Sequence, residues 1–249
     1  MLLLHNATTQ LLLHVIVIVS IAVSVFVNTQ TAQAADTKTT DNQLSQNSPT
    51  NDRHASIFKQ AAAKYGISET VLRSICEVES QNNPWAFNVN GEGFQPASLT
   101  DALNQINNIH SRPWLLKLSF KRQASTRLFY RNEKDAQLAL SDILKDAKRW
   151  GFETPKKTHI RLLDVKSTDI GYMQINWRFH GRHFNSMAEL YDPAINIHYS
   201  ARYIKKLIQR HGSMSKAVAF YHSNTQRYQA IYLDNFWPIY QKHILLARG

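Results

Sequence analysis

The chain has 249 residues, 29 Lys and Arg against 18 Asp and Glu, and a formal charge of +11. That length allows one large domain or two small ones, and a single cysteine, Cys76, excludes an internal disulfide framework or a cysteine-rich metal site. Apolar residues at 43% and aromatics at 10% exclude a wholly disordered chain, while the basic balance points to an anionic partner: nucleic acid, a membrane surface or an acidic polymer.

Residues 1–34 contain no Lys, Arg, Asp or Glu. Leu11 to Val27 is almost wholly apolar, and Ala32 and Ala34 form the small-x-small pattern of a signal-peptidase site. The segment reads as a signal peptide or, if uncleaved, as a membrane anchor. Either places the rest of the chain outside the cytoplasm, in the periplasm or cell envelope. Residues 35–53 are polar and aperiodic, a flexible leader.

From His54 the apolar spacing is helical. Ile57, Ala61 and Tyr65 lead to a stop at Gly66, and a second helix runs from Ser68 to about Gln81 before Pro84 breaks it. Trp85, Phe87 and Val89 alternate into Asn90-Gly91, a short strand entering a tight turn. Ser98–Asn107 and Glu133–Trp150 read as helices. Ser125–Arg131 between them reads as a strand returning beside Trp85–Asn90. Pro193–His211 is long and amphipathic, and Ser213–Tyr221 and Ala230–Ala247 follow, the last expected to kink or divide at Pro238. The class is mainly α with a small β element.

Within Ser68–Gln81 the apolar stripe Leu72, Ile75 and Cys76 continues, at i+7, to Glu79. Arg73 and Glu77, spaced i, i+4, read as a solvated ion pair on another face. A carboxylate at the buried end of a stripe is bonded to backbone amides or an Arg, or sits at a cleft edge. There, partial desolvation would keep a proton available near neutral pH. Cys76, one turn earlier, reads as a small buried apolar residue.

Four ordered blocks set that carboxylate in context. Ile75-Cys76-Glu77-Val78-Glu79-Ser80-Gln81-Asn82-Asn83-Pro84 resembles the catalytic-helix motif of lytic transglycosylases with the soluble-transglycosylase (SLT) domain, relatives of goose-type lysozyme. Asp169-Ile170-Gly171-Tyr172-Met173-Gln174-Ile175-Asn176 resembles the family's Gly-Leu-Met-Gln-Ile signature, with Tyr172 in place of Leu. Asp192-Pro193, Asn196-Ile197 and Ala201-Arg202-Tyr203-Ile204 match its third block. Ala217 to His222 occupies the place of its Ala-x-x-Tyr-Asn motif, with His222 where Asn is commoner.

The resemblance implies a lysozyme-like helical domain over 54–249 with a small β-hairpin element, interrupted by a basic insertion at about 110–168. It implies cleavage of the MurNAc-β-1,4-GlcNAc bond of peptidoglycan with formation of 1,6-anhydro-MurNAc ends, with Glu79 as general acid and then base. Ser80, Gly171, Met173, Gln174 and Tyr221 would bind or position the substrate, and Trp85 would stack on a sugar or anchor the β element. No metal or cofactor is required. A secretion, conjugation or flagellar apparatus is a partner the resemblance allows.

Two other readings stand beside it. A hydrolytic muramidase would use Asp169 or Asp164 as a second carboxylate. A non-catalytic wall-binding assembly protein would keep the groove without turnover. Nucleic-acid motifs are absent. His180 and His183, spaced i, i+3, make a weak metal pattern and read as surface or groove histidines. Residues 110–168 hold fourteen basic and six acidic side chains, so the basic charge is expected to hold an anionic polymer through Lys121, Arg122, Lys156 and Lys157.

Overall fold

The computed structural model describes residues 49–247, with side chains from His54 onward. The signal-peptide or anchor segment at 1–34 lies outside the described residues, as does most of the leader. Helix α1 (Pro49–Tyr65) begins ahead of the boundary expected at His54. It packs on α6 (Pro193–His211) and on α2 (Glu69–Ser80), which also lies against α8 (Gln226–Leu246). The core joins Leu72, Ile75 and Cys76 of α2 to Ile197, Ala201 and Ile204 of α6 and to Tyr232 and Phe236 of α8. The architecture is mainly α. None of the described helices is long and apolar enough to cross a membrane.

Two small sheets complete the molecule. The first has the order β2-β1-β6-β7, from β1 (Phe87–Val89), β2 (Glu92–Phe94), β6 (Thr168–Ile170) and β7 (Ile175–Asn176). Asn90 and Gly91, both at positive φ, make the expected tight turn between β1 and β2. After α3 (Leu99–Ser111), capped by Ser98 as its sequence suggests, comes the second sheet. It is β4-β3-β5, with β3 (Trp114–Ser119), β4 (Thr126–Tyr130) and β5 (Lys157–Leu162).

The strand read at Ser125–Arg131 therefore exists but pairs with β3, not beside Trp85–Asn90. The place beside β1 is taken by β6, whose Ile170 lies opposite Phe87. Helix α4 (Glu133–Lys145) stops short of Trp150, because Asp146 caps a separate 3-10 turn, Ala147–Trp150, by accepting from the Arg149 amide at 3.2 Å. Helix α5 (Trp177–His180) is one turn, and α7 (Met214–His222) follows α6 after Gly212. Helix α8 stays continuous through Pro238. That proline is exposed, so water can serve the carbonyl that loses its amide partner.

Residues 114–162 hold a core of their own. Leu116 and Leu118 on one face of β3 meet Ala136 and Ile143 of α4. The opposite face carries Lys117 directly across from Arg127, and Arg161 across from Leu115. Like charges so placed repel. They are tolerated because Glu92, buried on β2, accepts from Lys117 at 2.7 Å and Arg127 at 2.5 Å, with Arg161 at 3.4 Å. One carboxylate thus fastens all three strands of the basic sheet to the hairpin of the helical lobe.

At the far end of that sheet two loops meet. The Lys156 amide donates to the Ser119 carbonyl, and Glu153 accepts from the amides of Arg122 and Gln123. These bonds gather Lys121, Arg122, Lys156 and Lys157, all exposed, at one tip.

Burial alone would raise the carboxyl of Glu92, but Lys117 and Arg127 outweigh it and hold it below its ordinary range. Its stabilising contribution is therefore full above pH ~4.5 and lost as the pH falls through the depressed native value. Glu92→Gln should cost about 2 kcal/mol in urea denaturation at pH 7, and the difference from the parent should shrink below pH ~4.

Candidate active site

Glu79 is placed by the way α2 ends. Gln81 and Asn82 turn into left-handed backbone (φ 56° and 61°), and the Gln81 amide closes the helix on the Glu77 carbonyl. Asn83 then accepts from the Trp85 amide at 2.8 Å and donates to the Pro96 carbonyl at 3.0 Å. The end of the helix is thereby fixed to the β1–β2 hairpin. Arg73 and Glu77 do not pair with each other. Arg73 binds Glu69, and Glu77 takes Lys242 and His243, because α8 brings those two against that face.

Glu79 lies on the stripe its spacing indicates, with its side chain 13% exposed. Its Oε1 is buried and has no hydrogen-bond donor, so neither backbone amides nor an Arg occupies it. His222 lies beside it, with Nδ1 3.6 Å away. Asp169 on β6 faces the same space and accepts from Asn176 at 2.8 Å. Burial pushes the Asp169 carboxyl up to about 7; the charge of Glu79 adds to this, while Asn176 and His222 oppose it. The Tyr232 hydroxyl, buried and without a hydrogen bond, completes the pocket. Burial and the charge of Glu79 hold that phenol well above its usual range.

The glycine loop follows β6, the strand that carries Asp169. Gly171 has φ +78°, and a Cβ there would meet Asn196 Nδ2 at 2.5 Å and the Leu190 carbonyl at 2.8 Å. The buried Asn196 of α6 donates to the Ile170 and Leu190 carbonyls and accepts from the Met173 amide, each within 2.9 Å. Tyr221 of α7 donates to the Met173 carbonyl at 2.6 Å and lies 3.1 Å from Ser200 Oγ. Gln174, itself at φ 45°, turns its amide onto the carbonyls of Gly171 and Ala86. Tyr172 shares a 2.7 Å hydrogen bond with His54.

The structure thus gathers Gly171, Met173, Gln174 and Tyr221 into one hydrogen-bonded unit. Met173 is fully buried, as is Ser80, whose hydroxyl donates to the Cys76 carbonyl within α2. Trp85 is half-buried and packs against the core beside Tyr191. Cys76 is buried, which pushes its thiol up to about 12. Asp164 pairs with Arg178 and is half exposed, well apart in environment from Asp169. His180 bonds Tyr199 at 2.8 Å, and no group of metal-binding side chains occurs among the described residues.

Sequence reasoning named Asn196 only as part of a block and did not reach Tyr232. A polar residue heading the buried stripe of α6 was the available signal for the first. Nothing local marks the second, since Tyr232 meets Glu79 only through the packing of α8 on α2.

Residues 151–232 match the family model of the transglycosylase SLT domain, so this part of the chain is similar to that domain. The matched stretch includes the glycine loop, Asn196, Tyr221 and His222 and ends at Tyr232; α2 with Glu79 precedes it. No match was found among curated proteins or solved structures.

Gly171→Ala should cost roughly 2–4 kcal/mol, since it adds a strained φ and a clash with backbone. Thermal unfolding against the parent measures it.

Proposed function

We propose that the chain is a peptidoglycan lytic transglycosylase that cleaves the MurNAc-β-1,4-GlcNAc bond and leaves 1,6-anhydro-MurNAc ends. The observation that carries this reading is the buried Glu79 oxygen without a donor, set at the end of α2 with His222 and Asp169 beside it. Glu79 protonates the glycosidic oxygen as the bond to the anomeric carbon breaks, with the electron pair leaving on that oxygen. The muramic acid 6-hydroxyl then closes on the anomeric carbon, and the Glu79 carboxylate accepts its proton. A nucleophile carried by the substrate removes the entropic cost of ordering a water. Gly171, Met173, Gln174 and Tyr221 serve the substrate as one rigid floor, and Ser80 supports the turn that carries Glu79. The reaction needs no metal or organic cofactor.

The rival is a muramidase with Asp169 activating water, and the proximity of Asp169 to Glu79 is what favours it. A carboxyl held at about 7 is largely protonated below neutrality, which weakens it as a base there. Asp164, engaged with Arg178, is not a candidate. Peptidoglycan lies outside the cytoplasm, so the protein is exported to the periplasm or cell envelope, with residues 1–34 as signal or anchor. There the exposed cations at the tip of the inserted sheet hold the anionic stem peptides of the polymer.

Two experiments test this reading. Digestion of purified sacculi should release anhydro-muropeptides, identified by mass, and Glu79→Gln should lower the rate by at least ~100-fold. Reducing ends that vanish in Asp169→Asn would establish the muramidase instead. Neutralising Lys121, Arg122, Lys156 and Lys157 to Ala should weaken sacculus co-sedimentation at low salt and flatten its salt dependence. Unchanged sedimentation would remove the tip from substrate binding.

A further inference from the structure

The proposed acid has an unusual neighbour. His222 closes α7 at a position where the resemblance leads to Asn, and an imidazole differs from a carboxamide in being able to carry a proton. Its ring is held by stacking on Tyr232, with centroids 4.3 Å apart and planes 9° from parallel. Its Nδ1 lies 3.6 Å from Oε1, the buried Glu79 oxygen that has no donor. A buried oxygen without a donor is costly, so this is where a proton is best placed.

The groups facing this pair come from four elements. Cys76 lies on α2, Asp169 on β6, Tyr221 on α7 and Tyr232 on α8. Burial drives the thiol and both phenols far above neutrality, so they stay uncharged. What remains beside them is two carboxyls and one imidazole, Glu79, Asp169 and His222, with Arg73 and Glu77 of α2 acting on Cys76 from the far side.

We infer that His222 is a positioning residue that shares the working proton with Glu79. This rests on the reading of Glu79 as the acid. The proton sits on Nδ1 while Glu79 is ionised and passes to Oε1 when a glycosidic oxygen arrives. One N–H bond breaks, one O–H bond forms, and an ion pair becomes a neutral imidazole and a carboxylic acid. Closing 3.6 Å to ordinary hydrogen-bond length requires a ring shift of less than about 1 Å. After Glu79 has given up that proton and taken one from the 6-hydroxyl, the pair regains its starting charge.

Two groups so coupled lose their protons in steps that belong to the pair. Burial by itself would push His222 down, but Glu79 and Asp169 outweigh it and hold the imidazole above its ordinary value. The last proton of the pair therefore leaves above pH ~6.5, and the alkaline limb of activity should fall there. In His222→Asn the pair loses its imidazole site, and the limb should move to lower pH by roughly a unit or more.

The test is the pH profile of kcat/KM on sacculi for the parent and His222→Asn. It is paired with an NMR titration of the His222 ring in the parent and in Glu79→Gln, the ring identified through its contact with Tyr232. The expected results are the acid-ward shift of the limb and a lower His222 midpoint in Glu79→Gln. A limb that moves to higher pH would make His222 only a cation depressing Glu79, and an unmoved limb would make it packing. Either overturns the inference, as does an unchanged midpoint. The titration needs no turnover, so inactivity on sacculi would sink the proposed function while leaving the proton-sharing pair to be judged by NMR.

Discussion

The amide of Asn196 ties the site to the helical core. It is buried on the first turn of α6 and satisfies three backbone groups of two loops at once, the Ile170 and Leu190 carbonyls and the Met173 amide. Buried backbone groups without partners are costly, so the loop has one low-energy position, pressed on the helix. That closeness is why residue 171 has no side chain, and the left-handed turn it makes sends Met173 inward. Tyr221 adds a second tie from α7. Two helices thus hold the loop in place, while α2 carries Glu79.

Two buried glutamates show how environment separates structure from chemistry. Glu92 and Glu79 are each mostly withdrawn from water. Around Glu92 three cations arrive from three strands, its charge is fully compensated, and its work is to join two parts of the chain. Around Glu79 there is one histidine, a second carboxyl and two phenols, and its buried oxygen has no donor. A carboxylate compensated by three cations resists protonation and serves as a structural joint.

The basic surplus divides along the same line. Lys117, Arg127 and Arg161 point inward and are consumed by Glu92, whereas Lys121, Arg122, Lys156 and Lys157 stand exposed at the opposite tip. A count of charge over residues 110–168 cannot separate them, because the first three lie along β3, β4 and β5 beside Glu92 while the other four sit in or next to the loops at the far end of the sheet.

Much of this was legible in the chain itself. Apolar periodicity placed the helices at 193–211 and 214–222 nearly to the residue, and put Glu79 on the buried stripe of α2. These are local properties: a repeat of 3.6, a capping Ser or Asp, a Gly that ends a turn. Pairing was not local. The strand at Thr126–Tyr130 joins β3 rather than β1, and Arg73 and Glu77 take partners other than each other, because register and neighbours depend on what the rest of the fold brings near. The sequence alone determined which carboxylate is turned toward the core. Only the tertiary structure decided that His222, Asp169 and Tyr232, from three elements distant in sequence, are what it meets there. Burial lowers the local dielectric, and in that setting the company of a charge, rather than its residue type, decides what it can do.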